Sequence, residues 1–411
     1  MGVKNMKILH IATGFPLSYQ GGITNYVRAL ALKQQENKHK VWIMCNKDGK
    51  KDNRLNYFEY DSKITGFRYS KLQDIQGLKL IKKFLDDNQF DIIHLHMILK
   101  IDWNLYDILK DYNYIISLHD YYYLCPKIEM MDYQNYPCSH YDANKCKRCI
   151  GLLETNDFIY KIYRKNPKVF EKYLHINQNI TDIRFKKFKN LLENAKMVLP
   201  VSNRVKEIYK NSDIHANYKV VHIGNRSADE YTNDFSYNCN PHIIKVIFIG
   251  RLSFNKGVNI LFKIADQTDR QKYEFHFYGN PMEFKQRLIE HNIINHGKYD
   301  QSDLKKILQD YDLGLVLSVW EDNGPQVVME LLNNHIPVIG TNMGGIPDFI
   351  TKDNGYIFNP YSDDDFKRLI YFLDNLTIED IYRLKKNIKR TTTTYEHYNK
   401  IMSIYNDILG S

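Results

Sequence analysis

Arg251 and Lys256 stand directly after an apolar run, in the segment Gly250-Arg251-Leu252 with Lys256-Gly257. A guanidinium offers a fork of donors to phosphate oxygens and an ammonium a point charge, so the pair suits a diphosphate. The competing reading is two solvated surface cations. Residues 318–330 read SVWEDNGPQVVME. They put Asp322 in a polar loop and Glu330 on the helix behind it, with seven residues between them. Carboxylates accept from ribose or sugar hydroxyls, and these two can reach different parts of one ligand. Acids at an ordinary helix N-terminus are the alternative. Gly344-Gly345, within TNMGGIPD at 341–348, either brings backbone close to a ligand or simply turns the chain.

The amino-terminal half carries weaker signals. His119-Asp120 follows the apolar run YIISL at 114–118, so its imidazole can meet a substrate hydroxyl or be satisfied within a loop. Gly21-Gly22 lies between the first apolar run and the first helical pattern, where free N–H groups can meet an anion. The spacing is not Gly-x-Gly-x-x-Gly, so the dinucleotide fingerprint is absent, and a plain turn fits as well. Cys125, Cys138, Cys146 and Cys149 form a Cys-x12-Cys-x7-Cys-x2-Cys cluster, whereas Cys45 and Cys239 stand apart. In a reducing compartment such a cluster suits tetrahedral zinc better than a disulfide framework. Unliganded thiols and an iron–sulfur cluster are the other readings.

These residues fall at the ends of strands. Short apolar runs at 6–12, 40–44, 90–95, 114–118, 197–200 and 218–223 read as buried strands. Helical patterns at 23–35 and 78–87 separate the first three. Residues 157–194 read as helical, rich in Lys, Tyr and Phe. Residues 226–242 are polar and aperiodic and read as a linker. The alternation then restarts, with strands at 245–250, 273–278, 313–317 and 337–339. Helices are expected at 257–265, 304–309, 326–332 and from 364 to 409. Alternating strands and helices imply parallel sheets. Ligands then bind outside the carboxyl ends of the strands, and a cleft between two such domains is the expected site.

Composition narrows the function. The 411 residues suit two domains, and 43% hydrophobic with 26% charged residues excludes a disordered chain. The net charge of +9 is spread along the sequence, with no nucleic-acid-binding signature, so no nucleic acid is expected. No apolar run approaches the roughly 20 residues that span a bilayer. No signal-peptide pattern opens the chain, and Met6 breaks the myristoylation pattern, so a cytoplasmic protein is expected. The 32 Tyr and 20 Phe against 3 Trp fit an AT-rich genome first, and sugar stacking or a membrane surface second.

Together the ordered segments resemble the retaining glycosyltransferases of family four, which have the GT-B fold. The resemblance covers nearly the whole chain and is strongest over 249–350. It rests on Gly250 to Gly257, on the Glu-x7-Glu-like pair Asp322 and Glu330, and on Pro337 to Gly345. The fold it implies is α/β, two Rossmann-like domains facing each other across a cleft. An acceptor-side domain would span 1–235, with a cysteine-rich insertion at about 121–150. A donor domain would span 236–390, and a C-terminal helix at 391–411 would pack back on the first domain.

The resemblance implies roles. Arg251 and Lys256 would bind the donor diphosphate and stabilise its departure, and Glu330 would hold the ribose. Gly324, Pro325, Gln326 and Val327 would contact phosphate and the transferred sugar through backbone. His119 would lie near the donor sugar, and Gly21 and Gly22 would touch phosphate or acceptor. Asp322 stands where Glu is commoner, and Glu321 beside it is the alternative contact. The expected enzyme is a hexosyl- or N-acetylhexosaminyl-transferase of bacterial surface polysaccharide synthesis. Its donor would be a nucleotide-sugar and its acceptor a glycan, free or lipid-linked. No cofactor is required for the chemistry. The cysteine cluster, which some family members share, would hold a structural zinc. A non-catalytic nucleotide-sugar or glycan-binding protein is the alternative. Basic and aromatic residues interleave over 158–190, from Phe158 and Lys161 to Arg184, Phe185, Lys186, Lys187, Phe188 and Lys189. Such a pattern suits either a peripheral helix on the anionic inner face of the plasma membrane or a helix with aromatics inward and lysines solvated.

Overall fold

The computed structural model describes residues 5–12, 22–47, 51–60, 74–99, 101–151, 180–237, 239–240 and 243–410. Two compact units emerge. The first comprises Met1–Val201, Val205–Val221 and Tyr398–Ser411, and the second Ser202–Arg204 and His222–His397. The switch between them at Val221 lies upstream of the polar stretch read as a linker. Residues of that stretch are tied into the second unit: the Tyr231 hydroxyl donates to the Ile388 carbonyl at 2.9 Å, and that of Tyr237 to Asp312 Oδ1 at 2.8 Å.

Each unit is built on a six-stranded parallel sheet. In the first unit the strands are β1 (Lys7–Ala12), β2 (Lys40–Asn46), β3 (Asn56–Tyr60), β4 (Ile92–Met97), β5 (Tyr114–Leu118) and β6 (Met197–Pro200). Their spatial order is β3-β2-β1-β4-β5-β6. In the second they are β7 (Ile244–Ile249), β8 (Tyr273–Tyr278), β9 (Ile293–Gly297), β10 (Leu313–Val316), β11 (Val338–Thr341) and β12 (Gly355–Phe358), in the order β12-β11-β10-β7-β8-β9. Both sheets reverse direction of winding once, between β1 and β4 and between β7 and β10. In doubly wound sheets the crevice beyond the strand ends at that reversal is the ligand site.

The central strands are near-continuous Ile, Leu, Val and Phe because both faces are covered, as parallel sheets require. One face of the first sheet packs Met6, Ile8, Ile92, Ile115 and Leu199 against Leu30 and against Tyr398, Ile401, Met402, Ile404 and Tyr405. Leu30 lies on the helix Gly22–Glu36, and the other five covering residues on the last helix, Thr394–Gly410. The strand expected at 218–223 is reduced to a single bridge between Val198 and Tyr218. Strands β3, β9 and β12, absent from the sequence reading, are all sheet edges, short and partly polar. Their pairing partner, not their own periodicity, makes them strands.

Candidate active site

In the second unit the functional candidates gather at the reversal point. The loop after β7 ends at Gly257, which caps the helix Val258–Gln267 with φ +78°. A Cβ there would lie 1.9 Å from the carbonyl oxygen of Leu317, so only glycine lets this loop close on the end of β10. Gly344, with φ +56°, brings the loop after β11 just as close: a Cβ would lie 2.0 Å from the Asp322 carbonyl oxygen. Gly345 N–H donates to that same oxygen at 2.7 Å. Three loops from three adjacent strand ends are thus locked together by backbone contact.

The side chains follow. Lys256 Nζ donates to Asp322 Oδ2 at 2.6 Å, and Ser318 Oγ donates to the same oxygen at 3.0 Å. The Lys256 ammonium also sits 5.4 Å from the centre of the Trp320 ring. Arg251 is exposed on the same loop as Lys256. Glu321, by contrast, is buried and committed: Arg204 holds it through Nε at 3.1 Å and Nη2 at 2.6 Å, and Gly344 N–H donates to it at 3.0 Å. The two neighbouring acids therefore have different partners, Glu321 held by Arg204 and the Gly344 N–H and Asp322 by Lys256 and Ser318. Glu330 sits half-buried on the helix Gln326–Leu332 and accepts from Gln301 Nε2 at 2.9 Å. Burial pushes its carboxyl upward, and the Gln301 bond partly offsets this. Pro325 is the N-cap of that helix, Gly324 precedes it, and Gln326 accepts from Asn225 Nδ2 at 2.8 Å. Val327 is half-buried.

In the first unit His119 follows β5 and is only 8% exposed. Its Nε2 meets His96 Nδ1 at 3.1 Å, and its ring centre lies 4.7 Å from that of Tyr26. His96 Nε2 meets His10 Nδ1 at 2.9 Å, and His10 Nε2 meets Gln34 Oε1 at 2.7 Å. Asp120 is buried beside them. Its Oδ1 accepts from Tyr122 N–H at 2.8 Å, and Oδ2 has no hydrogen-bond partner among the described residues. Burial raises its carboxyl to about 6 despite that N–H and the nearby Arg184 charge. Gly22 opens the first helix and is exposed, with open space where a Cβ would stand. Gly21 lies outside the described residues.

His10, His94, His96 and Gln34 belong to none of the motifs that the sequence singles out. The available signal was an imidazole where an apolar residue is expected, in the central strands MKILHIA and FDIIHLHM.

Cys146 and Cys149 share a face of the helix Ala143–Gly151, and Cys138 follows the bridge between Met131 and Pro137. The Cys125 thiol disfavours ionisation of Cys138, Cys146 and Cys149. Burial chiefly raises them, Cys146 to about 12 and Cys149 to about 11, with Cys125 adding to both. A four-thiol donor set suits zinc. Among the described residues, however, the one group of three candidate ligand atoms all within 4.8 Å of one another is His10, His94 and His96.

Of the basic and aromatic stretch, residues 158–179 lie outside the described residues. On the helix Ile180–Glu193, Arg184 and Phe188 are buried, and Arg184 donates to the carbonyls of Tyr122, Tyr123 and Leu124. Phe185 stacks on Tyr141 at 4.0 Å, and Lys189 pairs with Asp213 at 2.7 Å. No helix among the described residues is long and apolar enough to cross a membrane.

Residues 20–225, half of the chain, match the family described as Glycosyltransferase Family 4, and residues 230–391 match that described as Glycosyl transferases group 1. A Klebsiella pneumoniae protein, described as an uncharacterized 41.2 kDa protein in cps region, is 24% identical over 178 residues. That match covers 43% of this chain and 46% of the relative, so less than half of the curated relative's length is spanned. A glycosyltransferase structure from Rickettsia africae is similar with a TM-score of 0.66 at 16% identity, covering 99% of each chain. The Anabaena HepE structure in complex with UDP and glucose is similar with a TM-score of 0.62 at 13% identity, covering 98% of this chain and 100% of that one. The two reversing parallel sheets and both family matches lead to one assignment: the chain belongs to the family 4 glycosyltransferases and has their α/β GT-B fold.

Proposed function

We propose that this protein transfers a sugar from a nucleotide-diphosphate sugar to a carbohydrate acceptor, with retention of anomeric configuration, in surface polysaccharide synthesis. The observation that carries the reading is the Lys256–Asp322 pair at the reversal point of the second sheet, with Arg251 on the same loop. A diphosphate competes with Asp322 for the Lys256 ammonium. Once it does, the freed carboxylate can accept from a hydroxyl of the transferred sugar, while Glu330 accepts from the ribose. The reaction breaks the bond between the anomeric carbon and the phosphate oxygen and forms one to the acceptor oxygen on the same face. The acceptor's proton passes to the departing phosphate oxygen. Arg251 and Lys256 stabilise the charge that grows on the diphosphate. HepE's complex with UDP and glucose, and a relative described as lying in a cps region, support donor class and setting.

Finer parts of the same reading are a hexosyl or N-acetylhexosaminyl donor and a lipid-linked acceptor met at the inner face of an anionic membrane. A structural zinc on Cys125, Cys138, Cys146 and Cys149 belongs to it too. Four thiols that resist ionisation beside one another would ionise together on a divalent cation, which would draw them closer than they stand without it. A screen of UDP-, GDP- and ADP-sugars by thermal shift, followed by an assay for release of the nucleoside diphosphate, tests the function. Stabilisation with release supports transfer. Stabilisation without release favours a nucleotide-sugar-binding protein. No shift with any of them rejects the donor class.

A further inference from the structure

Four polar side chains form one hydrogen-bonded line through the apolar interior of the first unit: Gln34, His10, His96 and His119. Gln34, His10 and His96 have no exposed surface at all. His10 is on β1 and His96 on β4, the two strands at which this sheet reverses. His119 lies just beyond the carboxyl end of β5, where ligands meet such sheets. Buried polar groups cost about 1–3 kcal/mol each when unpaired, so a line of them through a core of Ile and Leu is not there for packing.

The line has a direction, and Gln34 sets it. Its amide nitrogen donates to the Met402 sulfur at 3.7 Å, while its oxygen faces His10 at 2.7 Å. An amide oxygen only accepts, so His10 must carry its proton on Nε2. A neutral imidazole has one N–H and one lone pair, so His10 Nδ1 accepts. His96 must then donate from Nε2 and accept at Nδ1, and His119 must donate from Nε2. Burial keeps His10 neutral by lowering its pKa to about 4, in line with this single-proton count.

We infer that Gln34, acting through His10 and His96, fixes the tautomer of His119 so that its Nδ1 presents a lone pair as a hydrogen-bond acceptor. Gln34, His10 and His96 are positioning residues. On the proposed function, on which this last step rests, the Nδ1 lone pair accepts from a sugar hydroxyl and rejects a ligand that offers only an acceptor there. A metal ion on His10, His94 and His96 is the rival account. All six of their ring nitrogens already meet side chains, however: His94 Nδ1 meets Tyr405 and Nε2 meets Ser117, both at 2.7 Å.

Long-range proton–nitrogen correlation spectra of the full chain labelled with nitrogen-15 histidine read the tautomers directly, without substrate. The expected result is the proton on Nε2 of His10, His96 and His119. A proton on Nδ1 of any of the three, or a metal-bound ring among them, overturns the inference. Gln34→Met keeps the bulk and removes the acceptor, so His119 should become a mixture of tautomers and kcat should fall on the order of tenfold, the worth of one good hydrogen bond. Unchanged tautomers in Gln34→Met would remove Gln34 from the assignment. Because the spectra need no activity, a wild type with the expected tautomers that transfers no sugar counts against the function alone.

Discussion

On the proposed function, the Lys256–Asp322 ion pair holds the donor site ready. At 2.6 Å, with Lys256 partly open to solvent, the pair adds little stability, about 1 kcal/mol or less. Its proposed role lies in the diphosphate that would replace it. Lys256→Ala and Arg251→Ala should each cut turnover roughly 10²–10³-fold, by analogy with loss of one charge-stabilising donor, with little change in melting temperature. Steady-state assays with the donor found by screening check this, and near-wild-type turnover in either variant would dismiss the diphosphate assignment. Glu330→Gln should raise the Michaelis constant for the donor more than it lowers turnover, because a ribose contact is alike in ground and transition states. A collapsed turnover at an unchanged Michaelis constant would make Glu330 catalytic instead.

Asp120 makes a prediction about pH. Its folded pKa of about 6 lies above the usual 3.8, so the folded state holds the proton more tightly than the unfolded one. Unfolding therefore releases a proton between pH ~4 and ~6, and stability falls as pH rises through that window. Asp120→Asn should flatten the slope and raise stability at pH 7 by about 1–3 kcal/mol. Denaturant melts at pH 4, 5, 6 and 7 measure it, and a slope that survives in the variant assigns it to another group.

At the scale of elements, the site depends on loops that touch backbone to backbone. Gly257→Ala places a methyl group against the Leu317 carbonyl and forces a left-handed φ on alanine. The expected loss is about 2 kcal/mol or more, with donor binding weakened because the Lys256 loop is pushed off β10. Thermal melting and donor titration of the same sample check both halves, and a wild-type melt would show that the loop has another place to go. The cysteine loop should carry about one zinc per chain. Elemental analysis of protein purified without added metal, with Cys146 and Cys149 both changed to Ser as the control, decides it. Metal-free protein of unchanged stability would leave four plain thiols.

At the scale of the whole chain, the last helix belongs to the unit that begins the sequence. Tyr398, Ile401, Met402, Ile404 and Tyr405 are buried on the first sheet, and each contributes about 1.5–3 kcal/mol. Their sum rivals the 5–15 kcal/mol net stability of a typical domain. A chain ending at His397 should therefore lose the folded first unit, while the second, whose core includes none of these residues, still melts cooperatively. Limited proteolysis and circular dichroism distinguish that outcome from an intact first unit.

The local sequence already determined the central strands, the loops after them and the ordered segments from Gly250 to Gly345, because buried parallel strands are short apolar runs and their loops need glycine. The positions of Lys256 and Asp322, a few residues beyond recognisable strands, and of Glu330, on the helix that follows, were legible for the same reason. Three edge strands were not, since a partner strand decides whether NYFEY, IINHG or GYIF pairs. Nor was the difference in partners between Glu321 and Asp322, which depends on Arg204 arriving from 117 positions away. The buried line from Gln34 to His119 was hidden most deeply. Its members come from a helix, two strands and a strand end, and an imidazole's tautomer is a property of its neighbours. Only the folded chain brings those neighbours together.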